Sequence, residues 1–84
     1  MSDKPIEIYG TTWCPDCHRA KRFFEAKGFS YEWYDIEKDP QALVRANNAR
    51  KNNKRVPTIV FPDGSVLIEP SNAELEEQLN QTGG

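Results

Sequence analysis

The stretch TTWCPDCHRAKRFF, residues 11–24, holds both cysteines of the 84-residue chain. Cys14 and Cys17 are separated by two residues, and His18 follows at once. Three chemistries share that pattern: a thiol–disulfide redox pair, covalent haem attachment at C-x-x-C-H, and half of a zinc site. What flanks the pair chooses between them. Before it, Ile6-Glu7-Ile8-Tyr9 alternates apolar and polar residues and meets Gly10, which reads as a short strand with a stop. After it, Pro15 suits a first helical turn, where its missing N–H has no helical partner. The spacing of Cys17, Ala20, Phe23, Phe24 and Lys27 predicts a helix over 15–27 with a stripe for the core, closed by Gly28.

Cys14 therefore stands between a strand and a helix start. Unpaired backbone N–H groups and the positive end of the helix dipole favour a thiolate there. Cys17 lies one turn further on, and Cα atoms at that spacing fall within the ~4.4–6.8 Å span of a disulfide. Cys14 can attack and Cys17 can resolve. Haem attachment needs an export route, a second axial ligand and an apolar haem pocket, yet the one methionine is Met1 and the helix after His18 carries Arg19, Lys21 and Arg22. Zinc needs four ligands, and two Cys with one His cannot close a structural site alone, so no metal site is expected. His18 shares the helical face of Cys14 and is either solvent-facing or a neighbour that tunes the thiol.

Composition narrows the class further. Eighty-four residues make one domain, residues 1–84, with a small core. Hydrophobic residues are 37% of the chain and aromatics 11%, enough for that core. A net charge of −2 gives no basis for binding nucleic acid, and RKNNKR at 50–55 reads as a solvated helix end. The longest apolar runs, 58–62 and 66–68, fall far short of the ~20 residues of a membrane span. The N-terminus MSDKPIEIYG has no secretory pattern. A cytoplasmic location is expected, where closely spaced cysteines serve catalysis or metal binding more often than stapling.

The rest of the chain reads as alternating elements. Tyr31–Ile36 is an aromatic-rich strand. Asp39-Pro40 opens a second helix with Asp39 as N-cap and Leu43, Ala46 and either Ala49 or Arg50 inward, fraying near Asn52. Residues 58–61 and 66–68 are strands joined by a turn at Asp63-Gly64. Ser71-Asn72-Ala73-Glu74 is a capping box opening a last helix with Leu75 and Leu79 inward, and the tail from Gln81 frays. The order β-α-β-α-β-β-α predicts an α/β fold with a right-handed parallel unit followed by a hairpin: a four-stranded mixed sheet flanked by three helices.

These pieces resemble the glutaredoxins of the thioredoxin-like fold, and among them the mycoredoxin-like subgroup. The resemblance rests on YGTTWCPDC at 9–17, Val56-Pro57-Thr58 and FPDGSVLIEPSNAEL at 61–75, and it covers nearly the whole chain. It implies Cys14 as nucleophile, Cys17 as resolving thiol, a cis Val56–Pro57 bond, and a Val56 backbone that pairs with substrate like an added strand. It implies reduction of protein disulfides and of mixed disulfides with a low-molecular-weight thiol such as mycothiol or glutathione, serving as co-substrate without a bound cofactor. The partners are that thiol, client proteins and an upstream reductase, and the protein acts as a monomer. A dimeric carrier of an iron–sulfur cluster, held by Cys14 and added thiols, is the rival class.

Trp13 is expected to rim the substrate groove. Arg55, Ser71 and Asn72 are the further substrate-binding candidates, with Asp16 tuning the thiol. The chain departs from the glutaredoxin pattern in four places. Thr11 stands where Lys is common, Asp16 where an aromatic residue is, and Arg55 where Thr is usual before the proline. Glu69-Pro70-Ser71-Asn72 replaces a Gly-Gly and acidic pair.

Overall fold

A computed structural model describes residues 5–51 and 55–81. Strand β1, Ile6–Gly10, forms because its alternating residues have two faces to serve. Ile6 and Ile8 point to one side and join Ala20, Phe24, Ile59 and Leu75 in the larger core. Tyr9 points to the other and meets Ile36, Ala42 and Ala46. The sheet therefore separates two apolar layers.

Helix α1, Pro15–Lys27, starts at Cys14 and ends at Gly28, whose φ of 80° is the left-handed cap that residues with a Cβ avoid. The Phe29 N–H reaches back to the Phe24 carbonyl at 2.9 Å and closes the end. Its buried side chains are Cys17, Ala20 and Phe24. Phe23 packs against the core while partly exposed. Lys27, counted in the stripe from spacing, instead stays exposed and pairs with Glu76 at 2.9 Å.

Strand β2, Tyr31–Asp35, lies parallel to β1, from Ile6 opposite Tyr31 to Gly10 opposite Asp35. It is one residue shorter than expected: Ile36 still donates to the Gly10 carbonyl at 3.0 Å, but its side chain turns into the second layer. Helix α2, Pro40–Arg50, is capped by Asp39, which accepts the Gln41 and Ala42 N–H groups. Ala42, Ala46 and Arg50 face inward. The expected fraying near Asn52 falls outside the described residues.

Strand β3, Thr58–Val60, runs antiparallel to β1, and β4, Val66–Ile68, pairs antiparallel with β3. Phe61 was expected inside the third strand. It lies beyond the last ladder pair, Val60 with Val66, and binds Ser65 through its N–H at 2.8 Å to open the turn. Helix α3, Asn72–Gln81, buries Leu75 and Leu79, and Gln81 is its last residue. The sheet order is β2-β1-β3-β4, so β1 is central and its carboxyl end delivers Cys14 to the top of the sheet. Among the described residues no helix is long and apolar enough to cross a membrane.

Candidate active site

Cys14 is the N-cap of α1, with extended backbone angles of −86° and 115°. Its sulfur accepts the Cys17 N–H at 3.4 Å, one of the donors that a helix start leaves without an internal partner. The same sulfur lies 3.9 Å from the Val56 carbonyl. Both cysteines are free thiols. They differ in their surroundings: Cys14 keeps 6% of its surface exposed and Cys17 none. Burial pushes the Cys17 thiol up to about 12, helped by its hydrogen bond to Cys14 and by negative charge at Cys14 and Asp16, while the Thr11 backbone pulls the other way.

Gly10 makes this packing possible. A Cβ on Gly10 would sit 2.3 Å from the Cys17 sulfur and 3.1 Å from the Trp33 ring. The sequence reads Gly10 as a strand stop, but it is a paired strand residue whose missing side chain is the space Cys17 occupies. A glycine ending a strand seven residues before a buried cysteine is the signal that was available.

Val56–Pro57 is cis. The Arg55 carbonyl just before it takes two hydrogen bonds, from the Thr58 hydroxyl at 3.2 Å and the Arg50 guanidinium at 3.4 Å. Arg50 is buried, and burial lowers its pKa; its guanidinium also binds the Asn47 side chain at 2.7 Å. A basic residue at the end of α2, which periodicity left as an alternative to Ala49, thus anchors the segment that faces Cys14.

The remaining site candidates divide. Trp13 is 66% exposed, and its indole N–H donates to the Glu37 carboxylate at 3.1 Å. With Thr11, Ile36, Glu37, Leu43 and Val56 it lines an open groove of about 500 Å³. Trp13, Val56 and Cys14 therefore come together at one edge. Arg55 pairs with Glu69 at 3.2 Å, and the Glu69 N–H donates to the Pro57 carbonyl at 2.8 Å. Arg19 binds the Pro70 carbonyl at 3.0 Å, which ties the loop before α3 to α1. Ser71 is committed to its capping box: its hydroxyl accepts the Glu74 N–H at 3.1 Å, and its own N–H binds Glu74 at 2.8 Å. Asn72 is the first residue of α3 and is exposed. The Asp16 carboxylate turns to Arg19 at 3.5 Å. His18 is exposed and donates from Nε2 to the Thr12 carbonyl at 2.6 Å, so the ring is held by its own loop.

Among the described residues, no three His, Cys, Asp or Glu side chains converge as a metal-ion set. The Thr11 hydroxyl is buried with no hydrogen-bond partner. An unsatisfied buried hydroxyl costs ~1–3 kcal/mol. Thr11→Val, which keeps the shape and removes that group, is expected to raise stability by roughly 1 kcal/mol, measured by urea unfolding.

Comparison with known proteins agrees with this geometry. Residues 6–67 match the glutaredoxin family model. A Mycobacterium tuberculosis protein named for the glutaredoxins is 35% identical over all 84 residues of both chains. Mycoredoxin 1 of Corynebacterium glutamicum is 30% identical over 70 residues, covering 83% of this chain and 86% of its own. Among solved structures, the thioredoxin-like protein BC3987 superposes with a TM-score of 0.76 at 30% identity, over 86% of this chain and 96% of that one. A central strand leading into a cysteine-capped helix and these matches together place the chain in the glutaredoxin family of thiol–disulfide oxidoreductases, on a thioredoxin-like fold and with mycoredoxin 1 among its relatives.

Proposed function

We propose that the protein reduces mixed disulfides between proteins and a low-molecular-weight thiol, together with protein disulfides, using Cys14 as nucleophile and Cys17 as resolving thiol. The observation that carries this reading is the asymmetry of the pair. Cys14 borders the groove with an N–H aimed at its sulfur, while Cys17 is fully buried and keeps its proton up to about 12. The thiolate is the attacking species, and burial holds Cys17 back from forming it.

The Cys14 thiolate attacks one sulfur of the target disulfide, forms a mixed disulfide, and expels the other sulfur as a thiolate that takes up a proton. When the captured half is a small thiol, a second molecule of that thiol attacks it, leaving Cys14 reduced and the small thiol as its own disulfide. When the captured half is a protein, Cys17 loses its proton, attacks the Cys14 sulfur and releases the client as a thiol. The resulting Cys14–Cys17 disulfide is returned to two thiols by two equivalents of small thiol or by a dithiol reductase. The Val56 backbone and Trp13 border the incoming disulfide. No bound cofactor takes part, and the reducing cytoplasm is the fitting compartment. The domain works as a monomer.

The test offers Cys17→Ser protein the mixed disulfides of mycothiol, glutathione and bacillithiol in parallel. At least one should turn over at a rate within about threefold of wild type, because the small-thiol route needs Cys14 alone. No turnover with any of the three, from a folded variant, would overturn the mixed-disulfide route.

A further inference from the structure

The groove beside Cys14 carries one charge, and that charge is negative. Of its lining residues Thr11, Trp13, Ile36, Glu37, Leu43 and Val56, Glu37 alone is an acidic or basic residue. The Trp13 indole holds both Glu37 carboxylate oxygens, at 3.1 and 3.2 Å, so the carboxylate is fixed at the groove wall. Among the described residues no cation pairs with it: the ion pairs are Arg19 with Asp16, Lys27 with Glu76, and Arg55 with Glu69. Leu43, Ile36 and Val56 supply apolar lining. Trp13 adds an indole ring that is 66% exposed. Two of the lining residues flank the reacting cysteine: Trp13 precedes it in the chain, and the Val56 carbonyl lies 3.9 Å from its sulfur.

We propose that this groove selects protein clients in which a lysine or arginine stands next to the cysteine that Cys14 captures. The inference rests on Cys14 being the capturing thiol. A basic side chain has the two parts the groove is built to receive. Its methylene stem packs along apolar residues while its head stays at the water boundary. The head meets the Glu37 carboxylate, and the indole face beside it attracts cations. An acidic neighbour in the same place meets Glu37 as a like charge and is disfavoured.

Three symmetric peptide disulfides test this, identical except for Arg, Ala or Glu beside the cysteine. Each molecule of reduced wild-type protein converts one peptide disulfide to two peptide thiols while Cys14 and Cys17 become a disulfide. Release is followed by chromatography. The Arg peptide should exceed the Glu peptide about tenfold in the second-order rate constant of this single turnover, since a rim pair and an exposed cation–π contact are each modest. Raising the ionic strength to 0.5 M should shrink that ratio. In Glu37→Gln the ratio should fall to about one, and in Glu37→Lys the order should reverse. Equal rates for the three peptides in wild type, or an unchanged order in Glu37→Lys, overturn the proposal and leave the roles of the cysteines standing. Failure to reduce any peptide overturns the dithiol reading and the proposal with it.

Discussion

Cys14→Ser is expected to abolish turnover on every disulfide substrate, by about a thousandfold or more, because a serine hydroxyl stays protonated where a thiolate attacks. The loss will not come from unfolding. Cys14 is the N-cap of α1, its side chain already accepts the Cys17 N–H, and serine is among the preferred residues for that role. Thermal unfolding of the variant should therefore stay within about 1 kcal/mol of wild type. Cys17 cannot take over. It is fully buried, and burial first, then its hydrogen bond to Cys14, pushes its thiol up to about 12. Removing Cys14 takes away the hydrogen bond but not the burial. Activity above a few per cent of wild type in Cys14→Ser would mean that Cys17 can leave its place under the sheet and attack directly.

The second large effect is at Gly10. Gly10→Ala puts a methyl group 2.3 Å from the Cys17 sulfur and 3.1–3.2 Å from two Trp33 ring carbons. The sulfur and the strand are both held in place: Cys17 is rooted in the first turn of α1, and Gly10 is fixed in the ladder opposite Asp35. Overpacking of this kind costs ~1–3 kcal/mol, and the closeness to sulfur puts Gly10→Ala near the upper figure. At ~4–8 °C per kcal/mol for a domain of this size, Tm should fall by roughly 12–24 °C. Adding Cys17→Ala to Gly10→Ala should recover most of that loss, since the sulfur is the nearest obstacle. Calorimetry on the two single variants and the double one gives the coupling. A double variant no more stable than Gly10→Ala would locate the obstacle at Trp33 instead.

Both effects start from the same few residues, yet only one was legible in the sequence. Cys14 and Cys17 declare themselves by spacing and by Pro15, and the caps at Gly28, Asp39 and Ser71-Glu74 follow local rules that need no partner. The sheet order followed too, because a crossover unit and a hairpin leave few arrangements. What depended on distant segments was not legible. The space Gly10 leaves for Cys17 exists only once α1 lies on the sheet. The Trp13–Glu37 contact spans 24 residues and two loops. Arg50 reads as a solvated charge in RKNNKR or, by helical spacing, as an inward residue, and its bond to the Arg55 carbonyl depends on a segment beyond the helix. The strand ends at Asp35 and Val60 were set by their partners' registers, Gly10 opposite Asp35 and Val66 opposite Val60, rather than by the apolar runs that continue to Ile36 and Phe61. The ion pair of the Asp16 carboxylate with Arg19, one turn further on, was not read from the sequence either.

The central claim is that Cys14 captures the substrate and Cys17 resolves it. Trapping tests it directly. Cys17→Ser and Cys14→Ser proteins are each mixed with a peptide disulfide at pH 7, quenched in acid, and read by intact mass and peptide mapping. Capture by Cys14 predicts that Cys17→Ser accumulates a stoichiometric adduct on the peptide containing Cys14, while Cys14→Ser stays unmodified over the same time. An adduct forming on Cys17 in Cys14→Ser at a comparable rate would contradict it.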